Sequence, residues 1–142
     1  MGIFSDSVKN NSELILQRVN TKCYKITKEL FTSVVNKSPS PDNPGETAKG
    51  LLANQWYPKE GGFSEETGTA TSPNGASSLA RISSLIGKEF YRRDGMISLS
   101  NNLYYAYRAE VLGWPKSDGW SGRVGPYRMV ALSLQAIAAK YR

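Results

Sequence analysis

The densest group of side chains suited to ligand binding lies in residues 98–114, S-L-S-N-N-L-Y-Y-A-Y-R-A-E-V-L-G-W. Three tyrosines stand within four positions there and are followed by Arg108. Tyrosine beside arginine can stack on nucleic-acid bases or form a sugar-binding face, and it also suits a core or a subunit interface. Because Tyr104 and Tyr107 are three residues apart and Tyr105 lies off that line, a helix would divide the rings between faces. This spacing favours packing by some tyrosines and contact with a partner subunit by others.

Acid–base and nucleophilic catalysis have few candidates in this chain. It has no histidine, so the commonest general base, the commonest zinc ligand and all Ser-His or Cys-His mechanisms are excluded. The one cysteine, Cys23, cannot form an intramolecular disulfide, and it falls on the apolar side of a predicted helix. The adjacent carboxylates Glu65 and Glu66 lie in a glycine-rich segment, whereas catalysis needs fixed geometry. We therefore expect no catalytic, cofactor or metal site. A small enzyme, such as a cell-wall hydrolase using Glu65 or Glu66, is the least favoured alternative.

Positive charge is concentrated at the two ends of the chain. The net charge of +6 divides into +3 for residues 1–37, −1 for residues 38–122 and +4 for residues 123–142. In the first segment, four basic residues form a stripe along one side of a predicted helix: Arg18, Lys22, Lys25 and Lys28. Basic ends suit an acidic partner surface or nucleic acid. A basic nucleic-acid-binding accessory protein is therefore an alternative function.

The first element that must position these groups is a helix predicted over residues 10–36. Asn10 followed by Glu13 resembles a capping box. Apolar residues then recur at steps of three and four and form one stripe able to dock on a sheet or a second helix. The stripe consists of Ile15, Val19, Cys23, Ile26, Leu30 and Val34. The proline-rich segment 38–47 ends the helix as an irregular connection.

Shorter elements of both kinds follow. The predicted elements are a strand at 53–57, a helix at 76–86 ended by Gly87, a hairpin with Phe90-Tyr91 and Met96–Leu99 on an Asp94-Gly95 turn, a helix at 102–112, and a helix beginning at Pro126. The last helix has an apolar side made of Tyr127, Val130, Leu134, Ile137 and Tyr141. Long loops occupy 61–75, which we expect to be mobile, and 115–125.

This order predicts a single α+β domain over residues 1–142. It would have a long N-terminal helix, a small antiparallel sheet and a C-terminal amphipathic helix. The N-terminus lacks the pattern of a signal peptide, and no apolar run approaches the roughly 20 residues of a membrane span. We therefore expect a soluble intracellular protein without a membrane partner.

The stretch that opens this section also resembles the signature of neck or tail-completion proteins of long-tailed bacteriophages. In that family a strand, a turn of the form NNL-x-YA, a Glu and a Gly-Trp pair precede a loop and a terminal helix. The matching residues are Asn101-Asn102-Leu103, Tyr105-Ala106, Glu110 and Gly113-Trp114. The segments P-G-E-T-A-K-G-L-L-A-N-Q-W and G-P-Y-R-M-V-A-L-S-L are similar to the family's linker with its strand and to the start of its last helix. The chain departs from the family pattern by one extra residue between Glu110 and Gly113 and by a longer insert at 61–87.

The resemblance implies a structural virion protein. Such proteins form rings, hexamers by family resemblance, between the head connector and the tail tube, and the genome passes through the lumen. The implied partners are further copies of the chain, phage connector or adaptor proteins, tail-tube or tail-terminator proteins, and DNA in the lumen. The implied location is the neck of the virion after assembly in the host cytoplasm, and an adaptor or tail-terminator role stays open. The candidate residues of the subunit interface are Tyr104, Tyr107, Arg108, Trp114, Trp120 and Tyr141.

Overall fold

A computed structural model of the protein describes residues 2–38, 51–87, 96–115, 123–124 and 126–142. The fold is α+β, with a long N-terminal helix, a small antiparallel sheet and a C-terminal helix, as the sequence predicts. The elements in chain order are α1 (Ile3–Lys37), β1 (Trp56–Glu60), α2 (Ala76–Leu85), β2 (Ile97–Asn101), β3 (Trp114–Pro115), β4 (Arg123–Val124) and α3 (Met129–Lys140). Single 3-10 turns at Leu52–Asn54 and Pro73–Gly75 and a π-helical turn at Arg108–Leu112 complete the described elements.

Helix α1 has 35 residues and is therefore about 52 Å long at about 1.5 Å per residue. It begins at Ile3, so the predicted start near Asn10 is wrong and Asn10 lies inside the helix. No proline or glycine interrupts residues 3–9, and helical hydrogen bonding continues through them. No described helix is long and apolar enough to cross a membrane.

The core forms where the C-terminal part of α1 meets α2, the β1–β2 sheet and the start of α3. Its buried members are Phe31, Val34, Val35, Leu52, Trp56, Ile82, Ile86, Tyr105, Ala109 and Met129. Strand β1 pairs antiparallel with β2, so that Trp56 lies opposite Asn101. A two-stranded sheet is only marginally stable by itself. Packing of α1 and α2 against its residues therefore stabilises it.

Strand β1 begins later than the sequence predicts. Leu52, Ala53 and Asn54 are all buried and form a 3-10 turn, without the alternation of sides that a strand gives. The strand predicted after Asp94-Gly95 is β2, and its partner in the structure is β1. The other predicted hairpin strand, Phe90-Tyr91, lies outside the described residues, as do residues 39–50 of the predicted proline-rich connection.

Side-chain amides hold the segment 61–75, which the sequence led us to expect as a mobile loop. The Gln55 side-chain oxygen accepts a hydrogen bond from the Gly68 amide at 2.6 Å. Asn102 donates to the carbonyl oxygens of Ser64 and Glu66 at 2.7 and 3.0 Å. Asn54 donates to the Ser72 carbonyl at 2.8 Å. The segment is therefore attached to the strand–helix framework at several points along its length.

Helix α3 begins at Met129, three residues after the predicted start at Pro126. Arg128 precedes it in a left-handed conformation, with φ of 49°. The first helical amides have no intrahelical partner, and here the Glu110 carboxylate accepts from Val130 N and Ala131 N at 3.1–3.2 Å. A cap supplied from a distant segment therefore sets where this helix begins.

Candidate interaction surfaces

Residues 101–112, which we call the corner, turn the chain from β2 into a short helical segment. The Asn101 side-chain oxygen accepts from Leu103 N at 3.2 Å, and its amide donates to the Leu52 carbonyl at 3.0 Å. Leu103 and Ala106 pack against the core. A local side-chain turn and a long-range hydrogen bond therefore fix the corner together.

The corner divides its three tyrosines as their spacing predicts. Tyr105 is 9% exposed and belongs to the core, whereas Tyr104 is 91% exposed and Tyr107 69% exposed. The Tyr104 ring meets the Tyr105 ring edge-on, with centroids 5.1 Å apart. Two exposed aromatic side chains of the corner are thus available to another molecule.

The corner ends in the π-helical turn, closed by a hydrogen bond of 2.8 Å from Gly113 N to the Arg108 carbonyl oxygen. The Arg108 side chain is exposed and donates through Nε to the Gly113 carbonyl at 3.1 Å. Val111 and Leu112 are also exposed. We define the corner surface as Tyr104, Tyr107, Val111 and Leu112.

The start of α3 adjoins this corner surface. Tyr127 N donates to the Ala109 carbonyl at 2.9 Å, and the Glu110 carboxylate caps the helix. Two apolar residues of α3, Val130 and Leu134, are exposed, although the sequence pattern assigned them to its packing side. The buried residues of α3 are Met129 and Ser133 instead. The predicted apolar stripe of α3 therefore lies partly in solvent.

The N-terminal part of α1, residues 3–22, which we call the arm, carries the second exposed apolar surface. The buried and half-buried core residues of α1 begin only at Tyr24. The large apolar side chains that precede it are exposed: Ile3, Phe4, Val8, Leu14, Ile15, Leu16 and Val19. The expectation that Ile15 and Val19 dock within the domain is therefore wrong for the described structure, while Val34, on the same predicted stripe, is buried.

Helix α3 covers the part of α1 that follows the arm. Ser33 Oγ donates to Ser133 Oγ at 2.9 Å, and Lys140 Nζ lies 2.8 Å from Glu29 Oε2. At about 100° per residue, Ser33 and Glu29 fall on the same side of α1 as four exposed arm residues. Those four are Phe4, Val8, Ile15 and Val19. One face of α1 is thus covered by α3 near the core and exposed beyond the end of α3.

Where α3 ends, Tyr141 and the basic stripe of α1 line a shallow groove of about 510 Å³. Its basic members are Arg18, Lys22 and Lys25. The Tyr141 hydroxyl is buried, and its burial and the neighbouring Glu29 carboxylate raise its pKa above the ordinary value. The hydrogen bond from Lys140 lowers the pKa of Glu29, and the same contact raises the pKa of Lys140. This groove brings cations and a tyrosine together, as a site for an anionic chain would.

Glu65 and Glu66 are both exposed, and they line an open groove with Phe63 and Lys59. The Trp114 side chain and all of Trp120 lie outside the described part of the chain. Within that part, no group of three His, Cys, Asp or Glu side chains could hold a metal ion.

Sequence reasoning missed the outer half of the arm. Ile3, Phe4 and Val8 precede the predicted start of the helix, although Phe4 and Val8 already lie on the line of Ile15 and Val19. Extending the periodic pattern toward the N-terminus would have found them. Comparison of the chain with models of protein families, with curated proteins and with solved structures gives no match.

Proposed function

We propose that the protein is a structural virion protein that forms a ring at the phage neck, completes the tail and joins it to the head connector. The genome would pass through the lumen of the ring. The family resemblance of residues 99–114 suggests this function, and the surfaces of the subunit support it. A closed ring with head-to-tail contacts requires two different adhesive surfaces on each subunit. The arm and the corner surface are two such surfaces on one chain.

The exposed arm is the observation that carries this proposal. Its apolar side chains include Phe4 at 83% and Ile15 at 61% exposure. Most of the stability of a helix in a protein comes from packing of its apolar face rather than from intrinsic propensity, and large exposed apolar patches mark interaction sites. A partner that covers the arm would stabilise the helix and remove this apolar surface from water.

The proposal names partners of three kinds. Copies of the chain form the ring, hexameric by the family resemblance, with connector or adaptor proteins on one side and tail-tube or tail-terminator proteins on the other. DNA occupies the lumen during genome passage. The protein would act in the virion neck after assembly in the host cytoplasm, without catalysis or a cofactor.

Imaging of the purified protein tests the proposed function. We expect rings by negative-stain electron microscopy, and a matching oligomer mass by sedimentation velocity, for the protein alone or mixed with a tail-tube protein from the same genome. Monomers alone in both samples would contradict the proposal.

The groove beside Tyr141 favours a second candidate function, a basic nucleic-acid-binding accessory protein. Arg18, Lys22 and Lys25 line it together, and cations along a helix bind phosphates with an affinity that falls steeply with salt. Fluorescence anisotropy with labelled single- and double-stranded DNA at several salt concentrations tests this candidate. Lys22→Glu should weaken binding, whereas Lys59→Glu, outside the groove, is the matched control. A DNA affinity that changes neither with salt concentration nor with either substitution would exclude this candidate.

A further inference from the structure

We propose that the arm of one subunit docks on the corner surface of a second copy of this chain. This inference rests on the proposed function, because it names the two surfaces that would join neighbours in the ring. The exposed face of the arm would thus bind one kind of partner, a second copy of the chain. Every subunit then gives its arm to one neighbour and receives an arm from the other.

The exposed areas of the two surfaces suit each other. The arm face that continues the side covered by α3 carries four exposed apolar residues, Phe4, Val8, Ile15 and Val19. These four offer on the order of 500 Å², and the corner surface with Val130 and Leu134 offers on the order of 700 Å², which together exceed the roughly 1,000 Å² of total buried area expected of a specific interface. Aromatic anchors are typical of interface centres, and Tyr104 and Tyr107 supply them on the corner.

The continuity of one helix face also supports docking of the arm on a body of this kind. The side of α1 that holds α3 through Ser33 and Glu29 continues along the arm through Ile15 and Val19. That side therefore already packs against an element of this fold. A neighbouring subunit that presents its corner and the start of its α3 would extend the same packing along the arm.

The rim of the arm carries two acidic side chains. Asp6 and Glu13 lie seven residues apart on one line of the arm, while Lys9, Arg18 and Lys22 give residues 3–22 a net charge of +1. The corner surface is flanked by the exposed side chains of Arg108 and Arg128. Opposite charges at the rim of an interface set its orientation and speed association.

An arm-to-arm pair fits the structure less well. Asn11 and Ser12 interrupt the apolar line between Val8 and Ile15, so two arms would bury polar side chains at the middle of their contact. That arrangement would also leave Tyr104 and the rest of the corner surface in water. Head-to-tail docking covers both surfaces of every subunit in a closed ring.

Complementation between two surface variants tests the inference. Ile15→Glu places a charge on the apolar face of the arm and leaves the corner surface unchanged. Tyr107→Glu places a charge on the corner surface and leaves the arm unchanged. Both positions are exposed, so the monomer should fold, which circular dichroism checks. We expect each variant alone to be monomeric by sedimentation velocity, with the concentration needed for assembly raised about thirtyfold or more. An equimolar mixture should give a dimer, because one intact arm meets one intact corner.

Each other result overturns the inference. An oligomer that persists with Ile15→Glu means that the arm does not join subunits and binds another protein, while the proposed ring stands. Loss of assembly with Ile15→Glu but not with Tyr107→Glu indicates arm-to-arm pairing. A wild-type chain that stays monomeric shows that the occupant is not a second copy. Monomers that persist with a tail-tube protein, and no rings in images, contradict the proposed function as well.

Cross-linking gives an independent readout of the same contact. In a Cys23→Ser background, a Val8→Cys chain mixed with a Tyr104→Cys chain should form a disulfide-linked heterodimer on mild oxidation. A Val8→Cys chain mixed with a Ser83→Cys chain is the control, since Ser83 is exposed on α2, away from both surfaces. Cross-linking that is equal in both mixtures, or that joins mainly two Val8→Cys chains, contradicts docking of the arm on the corner.

Discussion

The two parts of α1 share one uninterrupted helix and differ in what surrounds them. In residues 23–37, Phe31, Val34 and Val35 are buried against α2 and the sheet. In the arm, every large apolar side chain is exposed. Both parts have similar apolar side chains at helical spacing, so the difference comes from the position of α3 and the core, which end near the middle of α1.

This contrast shows that amphipathic spacing identifies an interaction face without identifying the partner. Near the core the partner is the chain's own α3, and along the arm we propose a second copy of the chain. Stability should follow the same division, since tertiary burial stabilises helices in proteins more than intrinsic propensity does. Substitutions near the core should lower the free energy of unfolding of the monomer, and those in the arm should change association.

Gly75→Ala should give the largest loss of stability, because it disturbs the packing of α1 near the core. A Cβ atom there would lie 2.5 Å from Val35 Cγ1, and the residue has φ of +69°. We expect the free energy of unfolding to fall by about 3 kcal/mol. Gly61→Ala is the matched control, with φ of +75° and no atom within 4 Å of its Cβ, and should cost about 1 kcal/mol. Urea denaturation measures both, and equal losses would contradict close packing of Gly75 on α1.

The same truncation made in each part of α1 tests the contrast directly. Val34→Ala removes a buried side chain and should lower the free energy of unfolding by about 2 kcal/mol. Val19→Ala removes an exposed one and should change it by less than about 0.5 kcal/mol. Both are measured by urea denaturation at a concentration too low for association. A large loss for Val19→Ala in the monomer would show that the arm packs within its own subunit.

Glu110→Ala tests whether the corner fixes the start of α3. The substitution removes the acceptor of the Val130 and Ala131 amides and should cost about 1 kcal/mol, the usual value of a helix cap. Glu65→Ala, at an exposed carboxylate in the 61–75 segment, should cost less than about 0.5 kcal/mol. Thermal unfolding compares the two, and equal costs would show that the cap does not stabilise α3.

The smallest expected effect concerns the ion pair that attaches the end of α3 to α1. The pKa of Glu29 lies below its ordinary value of 4.5 because Lys140 donates to it. The contribution of this ion pair to stability is therefore present above pH 4.5 and is lost as pH falls through the lowered pKa. Glu29→Gln should slightly lower the melting temperature at neutral pH, and less so at high salt. The difference in melting temperature between Glu29→Gln and wild type should vanish in acid.

Glu13→Gln is the control for this last prediction, since it removes one negative charge from the arm, away from α3. A loss for Glu29→Gln that persists unchanged in acid would contradict an electrostatic origin. So would an equal loss for both variants at neutral pH.

Local patterns in the sequence predicted the order of the described helices and of the main sheet strands, and part of their apolar sides. The stripe on α1 near the core, the burial of Tyr105 between two exposed tyrosines, and the turn at Asn101-Asn102 all follow from neighbouring residues. These features depend on helical geometry and on side chains that bond to nearby backbone, and both are readable from spacing.

Features decided by distant parts of the chain could not be predicted in this way. The start of α3 depends on Glu110, about twenty residues earlier, and the course of residues 61–75 depends on the amides of Gln55 and Asn102. Exposure of Ile15 and Val19 depends on where α3 stops along α1. Each is a contact between segments, and residue types at short spacing do not encode such contacts.

The π-helical turn at Arg108–Leu112 has a consequence for how this chain can change in length. A turn closed five residues back holds one residue more than an α-helical turn. An inserted residue inside a regular helix rotates everything after it by about 100°. The widened turn holds its additional residue without that rotation, so that Gly113 closes the turn while Glu110 still reaches α3. Insertions and deletions should therefore be tolerated in this turn and selected against in the arm, where a single one would turn half of the apolar line away from the partner that we propose.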